Sequence, residues 1–132
     1  MAGDEIVHAP TAALRRLRAI CLRFPEAVEA GGVGNPSFKV RDKIFAMQHG
    51  HERRPSCWVK AEQGVQELLV AHDETRFFRP PYVGQHGWIG IRLDGAPDWD
   101  ELADLVEESY RMTAPKRLLA QLDASPPAQP AK

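Results

Sequence analysis

Ser37-Phe38-Lys39-Val40, then Arg41-Asp42, then Lys43-Ile44-Phe45-Ala46-Met47-Gln48 is the stretch whose reading decides the fold. Side chains of an extended chain alternate between two faces, so Phe38 and Val40 share one face while Ser37 and Lys39 share the other. Two polar residues between two such runs predict a tight hairpin. The polar run His49-Gly50-His51-Glu52-Arg53-Arg54-Pro55 reads as a loop. Ser56-Cys57-Trp58-Val59-Lys60 is a third strand, with Cys57 and Val59 on one face and Trp58 and Lys60 on the other. Trp88-Ile89-Gly90-Ile91-Arg92-Leu93 repeats the pattern: Ile89, Ile91 and Leu93 point one way, and Trp88, Gly90 and Arg92 the other. Before it, Pro80-Pro81 cannot donate to a central ladder and forces an extended path.

Helical periodicity flanks these strands. Leu14, Leu17, Cys21 and Phe24, joined by Ile20, fall on one stripe behind Thr11 as N-cap, and Pro25 ends the run. A second helix over about Glu62–His72 turns Val65, Leu68 and Leu69 inward. Asp98-Trp99-Asp100-Glu101 has the form of a capping signal, and Leu102, Leu105, Val106 and Tyr110 follow as an apolar stripe. Pro115 opens a shorter helix with Leu118, Leu119 and Leu122. Tight hairpins without strand-helix-strand crossovers predict an α+β fold of two layers, an antiparallel sheet with helices packed on one face. One domain is expected over residues 11–122. The lead, 1–10, and the proline-rich tail, 123–132, have too little apolar surface to offset the entropy of ordering.

The chain of 132 residues carries 17 basic and 18 acidic groups, a net of −1, which excludes a histone-like binder acting by bulk charge. No run approaches the ~20 apolar residues of a membrane span, and the acidic start Met1-Ala2-Gly3-Asp4-Glu5 lacks a signal peptide's basic region. A cytoplasmic location is therefore expected, with Cys21 and Cys57 as buried thiols. The near-neutral total hides a segregation. From Ser37 to Lys60 six basic residues face two acids, and from Asp94 to Tyr110 there are seven acids and no base.

Little points to catalysis. His49-x-His51-Glu52 lacks a further ligand at metal spacing, so no metal site is assigned. There is no Gly-x-Ser-x-Gly elbow, and neither cysteine has an informative histidine neighbour. The pairs Asp100/Asp104 and Asp104/Glu108 read as a solvated helix face. Gly31-Gly32-Val33-Gly34-Asn35-Pro36 is followed by a strand rather than by the helix a phosphate cradle needs, so it reads as a turn. No catalytic residue and no cofactor are assigned, and a binding module is the favoured class over an enzyme.

Several segments in order carry a resemblance: the Phe38-Lys39-Val40 hairpin, Arg79-Pro80-Pro81-Tyr82-Val83-Gly84, Gly87-Trp88-Ile89-Gly90-Ile91-Arg92-Leu93-Asp94-Gly95, and the acidic helix ending Glu108-Ser109-Tyr110. Over about residues 14–119 the chain resembles the MmcQ/YjbR family of small bacterial proteins. The resemblance implies a frataxin-like (CyaY) two-layer fold and a DNA-binding role through a double-wing surface. Interleaved rings and cations suit nucleic acid, since rings stack on bases and cations meet the backbone. The expected interface is a basic, tryptophan-bearing sheet face. Lys39, Arg41, Lys43, Arg53, Arg54, Lys60, Arg79 and Arg92 are assigned to phosphates, and Trp58, Tyr82 and Trp88 to stacking. The competing expectation for the two tryptophans is burial under the 79–87 loop or the final helix. The alternative function is a small-molecule or anion site, compatible with an enzyme, around Tyr82, His86, Trp88 and Arg92. A third is a protein partner docked on the acidic helix at 98–112.

Overall fold

The computed structural model describes residues 11–31 and 35–125. Its centre is a strand longer than expected, β3 (Lys43–His51), paired on one side with β2 (Ser37–Val40) and on the other with β4 (Arg54–Val59). The expected 49–55 loop is therefore corrected to strand, turn and strand. Arg41-Asp42 and Glu52-Arg53 are both two-residue turns with positive φ at each centre (52° and 67°, 54° and 62°). That geometry matches the twist of the flanking strands, although such turns normally carry Asn or Gly. Without those residues, the second turn left no signal in the sequence.

The sheet continues with β6 (Ile89–Arg92) beside β4 and closes with β5 (Phe77–Phe78). At the other edge β1 (Val28–Ala30) pairs with β2, giving an antiparallel order β1-β2-β3-β4-β6-β5. A register shift between Phe38 and Lys39 lets two successive β3 residues, Phe45 and Ala46, enter the same core. This bulge resets the alternation, so Met47, His49 and His51 share a face with Trp58 while Gln48 is buried opposite Cys57.

One face of the sheet is covered by helices. Leu17, Ile20, Cys21 and Phe24 of α1 (Thr11–Leu22) and the residues just after it meet Leu102, Val106 and Tyr110 of α3 (Trp99–Thr113), together with Leu118 and Leu122 of α4 (Lys116–Ala124). They pack on Phe38, Val40, Phe45, Cys57, Val59, Ile89 and Ile91. α3 begins as expected, with the Asp98 carboxylate accepting from the Glu101 N–H at 3.1 Å. It is bolted to the sheet by Ser109, whose hydroxyl donates to the Phe45 carbonyl and accepts from the Lys60 N–H at 2.9 Å. Both cysteines are free and buried, and burial pushes the Cys57 thiol up to about 12. α2 (Val65–His72) starts later than expected, after Gly64 at φ 89°. The expected lead lies outside the described residues, as do most of the tail and the centre of the glycine-rich turn, though α4 runs on to Ala124. No helix among the described residues is long and apolar enough to cross a membrane.

Candidate nucleic-acid interface

The helix-free face of the sheet carries a second, smaller apolar cluster: Trp58, Phe78 and Trp88, with Ile44, Met47 and Val83 packed against them. Register explains it. Met47, Trp58, Gly90 and Phe78 form one row across four strands, and side chains of paired residues stand on the same face. Gly90 is required there, because a Cβ would collide with the Phe78 ring. The 79–88 segment returns over this face through a 3-10 turn at Val83–His86, pinned by the buried Gln66 amide, which donates to the Gly84 and Trp88 carbonyls.

The alternation placed both tryptophans on the helix-free face, but neither ring is a stacking platform. Trp58 is 4% exposed and Trp88 9%. The Trp58 indole N–H donates to the Ser56 hydroxyl at 2.9 Å, and the His49 ring lies on it at 4.2 Å between centroids. His51 stacks in the same way on Phe78, at 4.1 Å and 4° between planes. The physical reason is area: rings this large leave water against any neighbour that can cover them. Here β5, the 79–88 loop and the two histidines supply the cover.

The cations divide into two groups. At the Glu52 end of β3, Arg92 is 8% exposed and fully engaged: it donates to the His51 carbonyl at 2.9 Å, pairs with Glu52 at 2.6 Å, and lies 4.3 Å over the Phe78 ring. Arg54 grips Asp94 with two bonds, 2.8 and 3.1 Å, which hold the Asp94 carboxyl below its usual value. Arg41, at the other turn, grips Glu26 in the same fork. These three guanidiniums, expected at phosphates, are engaged in ion pairs within the fold. Arg53 is exposed at its turn tip.

At the opposite end of β3, roughly 27 Å away by strand rise, lie Lys39, Lys43 and Lys60. Lys39 pairs in register with Ile44, so it stands on the helix-free face. The Lys60 ammonium sits 6.0 Å over the Trp88 ring, and its pKa is lowered by burial and then by the charge of Lys43. Among the described residues no carboxylate pairs with any of the three, and Asp42 beside them is exposed. Next to this group the 79–88 loop projects Tyr82, 73% exposed, with Arg79 beside it.

The small-molecule constellation is not assembled, since Trp88 is buried and Arg92 is committed at the far end of β6. His86 instead lines an open cleft of about 620 Å³ with Arg79, Gln63, Glu67, Gln85 and Met112. Sequence reasoning missed His49 and His51 as ring covers. Their spacing of two was the available signal once the strand is extended to His51.

The crystal structure of Deinococcus radiodurans protein DR2400, a DUF419 domain, is similar in fold, with a TM-score of 0.65 and 19% identity over 75% of this chain and 76% of that one. Among curated proteins nothing matches the chain. The YjbR family model matches residues 22–112, which span the whole sheet, α2 and nearly all of α3, and the chain belongs to the YjbR family.

Proposed function

We propose that this protein binds nucleic acid, without catalysis and with modest affinity, through the Lys43 end of the helix-free sheet face. The observation that carries the reading is the approach of Lys43 to Lys60, which is partly desolvated and repelled by that neighbour, with Lys39 on the adjoining strand and no carboxylate paired with any of the three among the described residues. An anion seated among them relieves that repulsion, and a phosphate backbone supplies anions at regular intervals. Arg79 extends the cationic track toward the Tyr82 loop. The acidic stretch 94–110 belongs largely to α3, in the other layer, and does not oppose the lysines across the sheet.

The reading makes a salt prediction. With four phosphate contacts, the logarithm of affinity for duplex DNA falls with the logarithm of salt at a slope of about −3.6. Removing both Lys43 and Lys60 as alanines brings the slope to about −1.8, whereas Arg54→Ala leaves it unchanged because that guanidinium already holds Asp94. Fluorescence polarisation of labelled DNA at several salt concentrations measures both. Absence of binding at micromolar protein in low salt overturns the reading. The cleft at Arg79 and His86 supports a second reading, an anionic small molecule. A metabolite that raises the melting temperature while nucleic acid does not favours it.

A further inference from the structure

Tyr82 occupies backbone space that tyrosine rarely enters, at φ 64° and ψ −66°. The Val83 N–H donates to the Pro81 carbonyl at 2.7 Å, closing a γ-turn of the rare, strained hand around it. Glycine takes such angles without steric cost. Burial does not compensate either, because Tyr82 is the most exposed of the large apolar side chains among the described residues. Strain held at an exposed aromatic is a reason to look for a ligand.

The mount under the ring is stiff. Pro80 and Pro81 fix two φ angles, and the Gly84 N–H donates to the Pro80 carbonyl at 3.0 Å. The Arg79 stem lies so close to Gly84 that a Cβ there would fall 2.6 Å from Arg79 Cγ. Gln66 holds the Gly84 carbonyl at 2.8 Å, and Val83 packs into the Trp58-Phe78-Trp88 cluster. Beside the ring Arg79, Pro80, Pro81, Tyr82 and Gln85 line an open depression of about 440 Å³. An aromatic face, a guanidinium without a carboxylate partner among the described residues, and an amide together fit a planar ring attached to an anion.

We infer that Tyr82 stacks on an unpaired nucleobase while Arg79 takes the adjoining phosphate, so that the protein prefers single-stranded to duplex nucleic acid. This rests on the nucleic-acid reading above and adds the strand class. In a duplex the faces of internal bases are already stacked and unavailable to the ring. On a single strand one such stack is worth about tenfold in affinity, near the lower end for base–aromatic contacts.

The test uses the full chain with labelled oligo-dT and a blunt duplex of equal length in low salt. The wild type is expected to bind oligo-dT about tenfold tighter. Tyr82→Ala and Tyr82→Gly are expected to abolish that preference and leave duplex affinity unchanged, while Tyr82→Trp keeps it. Tyr82→Gly accepts the turn's angles, so its melting temperature should equal or exceed the wild type's, separating loss of stacking from loss of fold. Equal binding of both DNAs by the wild type, or a preference that survives in Tyr82→Gly, overturns the inference and leaves the nucleic-acid reading standing. If neither DNA binds, the reading itself falls, and the inference falls with it.

Discussion

The two ends of β3 carry similar numbers of cations and use most of them differently, with Arg41, paired to Glu26 at the Lys43 end, and Arg53, exposed at the other, as the exceptions. At the Glu52 end Arg54 and Arg92 are spent on Asp94, Glu52 and the His51 carbonyl, so the basic residues there act as struts between β4, β6 and a hairpin tip. At the Lys43 end Lys39, Lys43 and Lys60 have no carboxylate partner among the described residues, and Lys43 lies close enough to Lys60 to repel it. Residue type contributes to the split. A guanidinium offers a planar fork that meets a carboxylate with two bonds, and an ammonium is a compact charge on a flexible stem. The lesson is that a run of basic residues in a sequence measures charge, whereas availability depends on which acids the fold brings within reach.

The comparison can be broken most directly at Arg92. Arg92→Ala removes the bond to the His51 carbonyl, the contact over Phe78 and the tie to the Glu52 turn, and should destabilise the fold by about 2 kcal/mol in urea unfolding. Lys43→Ala, the matched change at the other end, should leave stability nearly unaltered. Equal losses would erase the distinction between struts and free charges.

A smaller effect sharpens the same contrast at the turn tip. Arg53 stands at φ 62° on an exposed turn, where a Cβ is a steric liability, so Arg53→Gly should stabilise the protein by up to about 1 kcal/mol. A lower unfolding midpoint would mean that the Arg53 side chain contributes something its position does not reveal.

The smallest effects are in pH: both ends make stability rise with pH, one through the acid range and the other through the alkaline range. The Arg54 fork depresses the Asp94 pKa, so this pair's stabilisation is full above the ordinary value of 3.8 and is lost as pH falls through the folded value. Lys60 is depressed too, but it is a base. Its unfolded form holds the proton more tightly, so stability rises as pH climbs from the folded value toward the ordinary 10.5. Melting temperatures of Asp94→Asn and Lys60→Met against pH check each arm: the first should flatten the acid limb and the second the alkaline limb.

Much of the architecture was legible because it depends on period alone. Ile89, Ile91 and Leu93, or Leu102, Val106 and Tyr110, declare their buried face whatever surrounds them. The break came where a local irregularity altered the count. The bulge at Phe45-Ala46 shifts the side-chain pattern by one residue, and no residue type announces it. The Glu52-Arg53 turn lacks its usual residues, which made a hairpin tip look like a loop and hid the roles of His49 and His51. β1 is three residues long and held by its neighbour β2, too short for any periodicity to show.

The candidate site divides the same way. Tyr82 was legible in the sequence as an aromatic residue beside two prolines, but its exposure and its strained turn are tertiary properties. The sequence by itself determined which faces are apolar, where the helices lie and which segment is basic, because those follow from short-range alternation and composition. Only the tertiary structure decided that Trp58 and Trp88 are covered, that Arg41, Arg54 and Arg92 are paired, and that Lys39, Lys43 and Lys60 have no carboxylate partner among the described residues. Exposure and ion pairing depend on distances between residues far apart in the chain, 40 positions for Arg92 and Glu52 and 91 for Arg117 and Glu26, and those distances exist only once the chain has folded.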